Sequence, residues 1–253
     1  MNRTTGSVEA SSFPLTGDFL AGRLRQNLSL DDLKYIEALV ETVSDHGDTA
    51  RLLARGTKTD CSTILIEGYI FRTIESAGKR FITGIHVPGD FVDLHGFALK
   101  RLDHNIDCVG PAKIALVPHE RLTAAMADDP HLGRLLWFST LLDAAVHRQW
   151  IMKLEQLTVP RRIAYIFAEI WRRLEMVGLG DETGFDTPLT QNNIAEMCGA
   201  TAIHTNRAIG KLRAEGIADF RRGRVEIASR ETLESFADFE PDYLYGDGDL
   251  SFR

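Results

Sequence analysis

Hydrophobic positions recur at two different periods along this chain, and the change of period divides it. In LSLDDLKYIEALV, Leu30, Leu33, Ile36, Leu39 and Val40 fall at helical spacing, with Ser29 or Asp31 placed to cap the helix. From position 51 to about 118 the apolar runs become short and rich in Ile, Val, Phe and Thr: STILIEGYIFRTI, KRFITGIHV, FVDL, NIDCV and KIALV. Gly68, Gly78, Gly89 and Gly110 lie between or beside them. Short strands at regular spacing with glycine turns predict an all-β roll or sandwich.

The helical period then returns. Asp129 can cap a helix whose first residue is Pro130, where a missing N–H costs nothing. Apolar residues continue from there to Leu157 without a breaker, in a stripe wider than one core-facing side requires. Leu135, Phe138, Leu142, Ala145 and Met152 fit a broken a/d seam interrupted by Gln149, and Leu141, Trp150 and Ile151 form a second row. A helix burying two faces predicts a dimer helix laid against its own domain. The plainer alternative is the central helix of a monomer. The TVP at 158–160 breaks the pattern and sets a domain boundary, after which RRIAYIFAEIWRRLEMVGLG reads as an amphipathic helix ending at Gly178 or Gly180.

The stretch 189–217, LTQNNIAEMCGATAIHTNRAIGKLRAEGI, holds two short apolar stripes on either side of a small-residue turn. Thr190 caps the first predicted helix, whose inner face is Ile194, Met197 and Cys198. Gly199 gives the turn its conformational freedom, and Thr201 caps the second helix, whose inner face is Thr205, Ala208, Ile209 and Leu212. Two short helices joined in this way predict a helix-turn-helix, whose second helix presents its N-terminal residues to base edges in the major groove. Arg207 and Asn206 carry the hydrogen-bonding chemistry that reads guanine and adenine, and Ala202 and Ile203 can touch a thymine methyl. DFRRGRVEI follows as a basic turn between two β-like runs, the pattern of a wing. Arg221, Arg222 and Arg224 are its candidate phosphate contacts. Thr190, Gln191, Thr201, His204 and Lys211 complete the candidate DNA-binding set. The alternative is a small helical domain with solvated arginines.

Net charge is −7, which argues against a protein that coats nucleic acid without specificity. Its distribution changes the picture. Residues 201–224 carry a net +4, while 231–253 carry a net −6. The divisions expected are a polar disordered tail at 1–17, a β-roll at 18–128, a dimerisation helix at 129–157, a winged helix-turn-helix at 158–230 and an acidic tail at 231–253. The fold class is α+β. Neither a secretory h-region nor a membrane-length apolar run is present, so a cytoplasmic protein with no membrane partner is expected. Cys61, Cys108 and Cys198 form no metal-ligand spacing and read as small buried hydrophobes in a reducing compartment. No nucleophile elbow, phosphate-binding glycine loop or HExxH helix is found, so an enzyme is not expected.

With these residues in view, the chain from about 28 to 227 resembles the Crp–Fnr transcription regulators. The stretch 189–217 is similar to that family's recognition signature. LIEGYIFRTIESAGKRFITGIHVPGDFVDL is similar to its β-roll with a Pro-Gly-Asp turn, and HRQW and RRIAYIFAEIWRRLEMVGL continue the pattern. The resemblance implies a cyclic-nucleotide-binding-like, jelly-roll-like β-roll, a long dimer helix and a winged helix-turn-helix. It also implies a homodimer on pseudo-palindromic double-stranded DNA, with RNA polymerase as a further candidate partner. Ala202, Ile203, Asn206 and Arg207 fall at the family's recognition positions. Ala202 and Ile203 replace the Arg and Glu of its best-known members, so the half-site is expected to differ.

Members that bind cyclic AMP use a glutamate after the Gly-Asp turn and an Arg-Ser pair on the phosphate. Here Leu94 stands at the first place and Asp103-His104 at the second, where a carboxylate repels phosphate. Cyclic-nucleotide binding is therefore disfavoured, and no cofactor is identified. Residues 1–60 contain no cysteine for an iron–sulfur cluster. His86, His95 and His104 have no ligand spacing and read as surface or core histidines, so no metal site is expected. The alternative function is a haem- or small-ligand-binding gas or redox sensor that uses the β-roll, with effector-dependent DNA binding.

Overall fold

The computed structural model describes residues 12–246. They form two compact units, one of 12–72, 85–144 and 245–246, the other of 73–84 and 145–244.

The first unit is built on strands. β1 (Thr42–His46), β7 (Ala112–Pro118) and β3 (Cys61–Glu67) form an antiparallel sheet in the order β1-β7-β3. β2 (Arg51–Leu53), β6 (Asn105–Cys108), β4 (Ile70–Ser76) and β5 (Lys79–His86) form a second, in the order β2-β6-β4-β5, with residues 73–84 of β4 and β5 counted in the second unit. Alternation along β3 and β7 sends side chains to two cores. Leu65, Ile70, Val92, Ile106, Cys108 and Ile114 fill the space between the sheets. Ile64, Ala115 and Val117 point the other way, onto a core built with Phe19, Leu24, Ile36, Leu122, Leu132, Leu135 and Phe138. Both faces of β3 and β7 are thus buried, which explains near-continuous apolar runs such as STILI, while the edge strand β1 stays largely exposed.

Helices cover the second face. α1 (Leu30–Ala38) starts in a capping box, with Ser29 accepting from the Asp32 backbone and Asp32 accepting from that of Ser29. The expected disordered tail is corrected at its C-terminal end, while 1–11 lies outside the described residues. Phe13 and Thr16 are buried, and the backbone N–H groups of Leu15 and Thr16 donate to the Glu37 carboxylate at 3.0 and 2.9 Å. A polar segment is ordered here because one carboxylate on α1 satisfies its backbone. A short helix α2 (His95–Leu99) precedes β6, and α3 (His119–Asp128) follows β7. At the Pro-Gly-Asp turn, Gly89 has φ 89°, and a Cβ there would lie 2.3 Å from the Asp18 carbonyl oxygen. Asp90 accepts from the backbone N–H of Val87, three residues back rather than two residues on.

α4 (Pro130–Gln156) is continuous through both units. Asp129 Oδ1 accepts from the His131 N–H at 2.8 Å, as expected of a cap. The expected dimer seam is corrected. Leu135, Phe138 and Ala145 are buried within the protomer, and Leu142 and Met152 are half-buried. The exposed apolar positions are Trp137 (64%), Leu141 (49%), Ile151 (64%) and Leu154 (40%). Two apolar rows had been recognised on this helix, and the row given to the partner is the one that fills the protomer's own core.

The second unit is centred on α5 (Val159–Met176), whose residues from Ile163 to Ile170 are all buried. α6 (Gln191–Cys198), α7 (Ala202–Ala214) and α8 (Arg230–Ala237) accompany it, with a small sheet of β8 (Gly184–Asp186), β10 (Arg224–Ile227) and β9 (Ala218–Arg221) in the order β8-β10-β9. The acidic tail is also corrected. Leu233 and Ala237 of α8, then Phe239 and Leu244, are buried, and the Phe239 ring meets Tyr165 edge-on at 5.0 Å. Acidic residues occupy the outward positions of this segment, so its charge conceals an apolar face. Residues 247–253 of that expected tail lie outside the described residues.

Glu169 is buried on α5 and accepts from Trp150 Nε1 at 3.2 Å, Tyr243 Oη at 2.9 Å and Arg173 Nη1 at 3.3 Å. Lys153 of α4 is fully buried with its ammonium 3.6 Å from the Trp150 ring centroid. Among the described residues, helices are absent that are long and apolar enough to cross a membrane.

Candidate nucleic-acid interface

The helix-turn-helix is held by caps at both starts. Thr190 and Asn193 form a capping box on α6: Thr190 Oγ1 accepts from the Asn193 N–H, and Asn193 Oδ1 accepts from the Thr190 N–H. Gly199 ends α6 in the left-handed region at φ 61°, as the turn requires. Thr201 Oγ1 then accepts from the His204 N–H at 3.3 Å and starts α7. Arg162 braces the assembly, donating to the carbonyls of Leu154 and Leu157 at the end of α4 and of Cys198 at the end of α6. These are the orphan carbonyls of two helix ends, met by one planar guanidinium.

α7 divides cleanly by face. Thr205, Ala208, Ile209 and Leu212 are buried, while Thr201, Ala202, Ile203, His204, Asn206, Arg207 and Lys211 are exposed. Ile203, at 66% exposure, places a bare sec-butyl group on the surface. Asn206 Nδ2 donates to Gln191 Oε1 at 3.1 Å, so the structure brings these two candidates together across the turn. The Asn206 amide keeps a second N–H and its Oδ1, the donor and acceptor that bidentate pairing with an adenine would use. Thr190 is occupied as a cap, and Lys211 lies 3.7 Å from Glu215.

The basic turn is a β9–β10 hairpin. Arg222 and Gly223 both have positive φ, 52° and 77°. The three wing arginines differ. Arg221 pairs with Asp219 at 2.8 Å while staying exposed. Arg222 is exposed and, like Arg207, has no carboxylate partner among the described residues. Arg224 is held within the protein: its guanidinium binds Asp181 at 2.7 Å, Asp186 at 3.3 Å and Thr183 Oγ1 at 2.9 Å. The hydrogen bonds from Arg224 and Thr183 hold the Asp181 carboxyl down to about 2, so the pair stays ionised at any physiological pH. Arg224 fastens β10 to the loop before β8. Nothing in the local sequence around Arg224 marks this, because both carboxylates lie about forty residues away.

In the first unit His95 meets the neighbouring pair Asp103 and His104. Asp103 and His104 stand where the Arg-Ser pair of cyclic-AMP binders was aligned. Leu94, aligned with the ribose-gripping glutamate, is a buried hydrophobe.

Residues 161–236 match the Crp-like helix-turn-helix domain family. Transcriptional activator protein FnrL of Cereibacter sphaeroides is 26% identical over 167 residues, covering 64% of this chain and 66% of that protein, just under two thirds of its length. Transcriptional activator protein anr of Pseudomonas aeruginosa is 23% identical over 155 residues, 61% of this chain and 63% of that protein. The solved structure of FixK2 from Bradyrhizobium japonicum matches with a TM-score of 0.70 at 20% identity, covering 77% of this chain and 96% of that one. TTHB099, a CRP-family transcriptional regulator from Thermus thermophilus, matches with a TM-score of 0.63 at 16% identity and the same coverage. The relatives are regulators of transcription rather than enzymes, and the β-sheet unit, long helix and helix-turn-helix agree with the fold of these structures. Together these matches support a regulator of the Crp–Fnr family, with 161–236 as its Crp-like helix-turn-helix domain.

Proposed function

We propose that this chain is a sequence-specific regulator that reads duplex DNA as a homodimer in the cytoplasm. The observation that carries the reading is the outward face of α7. Ile203, Asn206 and Arg207 project from a helix whose other face is locked in the core, and Arg207 is not neutralised by any described carboxylate. Arg222 at the wing tip supplies sequence-independent attraction to phosphate.

A second copy covers the exposed stripe of α4. Trp137, Leu141, Ala144, Arg148 and Ile151 alternate at spacings of four and three, the period of a two-helix seam, and three of them are large exposed hydrophobes. A twofold dimer sets two half-sites about 34 Å apart and a pseudo-palindromic operator. The named relatives are activators. If this chain also activates, RNA polymerase is its protein partner at the promoter.

The test is selection of random duplex DNA on the purified protein at a stated salt concentration, without added ligand. A palindrome with one-turn half-site spacing supports the reading. Arg207→Ala is expected to relax the selected motif at one base pair per half-site, by about 1–3 kcal/mol of discrimination. An unchanged motif from that variant overturns the assignment of α7 as the reading helix.

A further inference from the structure

His95 opens α2, and Asp103 and His104 stand just before β6, so a loop folds them onto one another. One ligand-type atom from each lies within 4.8 Å of the other two. The two imidazole rings are 5.1 Å apart between centroids and tilted by 43°. His104 Nδ1 is 2.6 Å from Asp103 Oδ1, which places the ring proton on Nδ1 and leaves the lone pair on Nε2. That Nε2 is buried and meets no protein partner, and the same is true of His95 Nε2. Buried ring nitrogens without partners are rare, and two on adjoining rings rarer. An ion held between the two rings would give both nitrogens a partner.

We propose that His95, His104 and Asp103 bind one divalent transition-metal ion of the zinc, cobalt or iron(II) class. Two imidazoles and a carboxylate suit such borderline cations, and with no thiolate in the set there is nothing to favour a soft copper(I) ion. The remaining positions are open to water or a small diffusible ligand. Metal–donor distances of roughly 2.0–2.2 Å require donors no more than about 4 Å apart, so the trio must draw together on binding. Asp103, with a largely exposed side chain, is free to turn from the His104 ring towards the ion.

Arg72 is the adverse neighbour for a dication, but it is ion-paired to Asp143 and donates to the Val92 carbonyl. The Asp103 carboxylate that repels a cyclic phosphate attracts a cation.

The test uses the full-length protein, stripped with chelator and returned to chelator-free buffer. CoCl2 is titrated while following ligand-field absorption, and ZnCl2 by calorimetry. One equivalent should bind, saturating below roughly 100 µM, and Zn²⁺ should raise the melting temperature. His95→Gln and His104→Gln should each weaken binding at least about tenfold. His46→Gln, on β1, should bind like wild type. Circular dichroism without metal shows whether each variant is folded. If the histidine variants fail to fold, Asp103→Asn serves instead, and must weaken Co²⁺ binding. A folded wild-type protein that takes up no stoichiometric ion overturns the proposal, and so do folded variants that bind it unchanged. DNA plays no part in these measurements, so the site stands or falls apart from the reading of α7.

Discussion

Replacing Lys153 by methionine should stabilise the protein. Lys153 is fully buried, and desolvation pulls its ammonium from 10.5 down to about 8. A depression of about 2.5 units corresponds to a penalty of about 3 kcal/mol for holding the charged form inside. The Trp150 face, 3.6 Å from the ammonium, returns about 1–2 kcal/mol of that. Methionine keeps the unbranched stem and removes the charge, so Lys153→Met should gain about 1–2 kcal/mol at neutral pH.

The sign of the pH dependence is distinctive. Below pH 8 lysine is protonated in both folded and unfolded chains, and the burial penalty is fully present. Between pH 8 and 10.5 the native chain releases a proton that the unfolded chain retains, so wild-type stability rises towards that of the variant. Urea unfolding of both proteins, followed by far-UV circular dichroism at about pH 7 and about pH 10, measures this. A variant less stable than wild type at pH 7, or a gap equal at both pH values, would refute the burial argument.

Other consequences are open to measurement. Glu169→Gln removes the charge to which Trp150, Tyr243 and Arg173 donate, and should lower stability by about 2–4 kcal/mol in the same assay; a change under about 0.5 kcal/mol contradicts it. Ile151→Glu should convert a dimer to a monomer in sedimentation velocity and leave the melting temperature of the protomer nearly unchanged, because the side chain is exposed. Arg222→Ala should weaken binding to all DNA sequences alike and reduce the salt slope by about 1. Arg224→Ala should move the melting temperature instead; an equal loss of salt slope would mean that its pairs with Asp181 and Asp186 open on DNA.

The parts of this molecule that could be read from sequence are those built from near neighbours. Thr190, Gly199 and Thr201 punctuate α6 and α7 through contacts three or four residues long, and the structure has them as caps and turn. Contacts between distant residues escaped. Phe13 and Thr16 are ordered because Glu37 receives their backbone. Arg224 resembles its neighbour Arg222 until Asp181 and Asp186 are placed beside it. His95 and His104 carry no spacing motif, since a loop rather than a helix face unites them. On α4 both apolar rows were visible, but periodicity cannot say which meets the protomer's own core. The stretch 231–253 reads as a tail by its charge, which outweighs Leu233, Ala237, Phe239 and Leu244 in composition though not in packing.

The Tyr243 hydroxyl that closes the Glu169 cluster has a consequence for synthesis on the ribosome. Glu169 and Trp150 emerge first, and α5 leaves the exit tunnel carrying a carboxylate that is to be buried. Its third donor arrives only when translation has passed residue 243, together with Phe239 and Leu244, which seal the same side of α5. Until then α7 belongs to an unfinished domain. A nascent chain stalled before that point would be a substrate for chaperones and proteases.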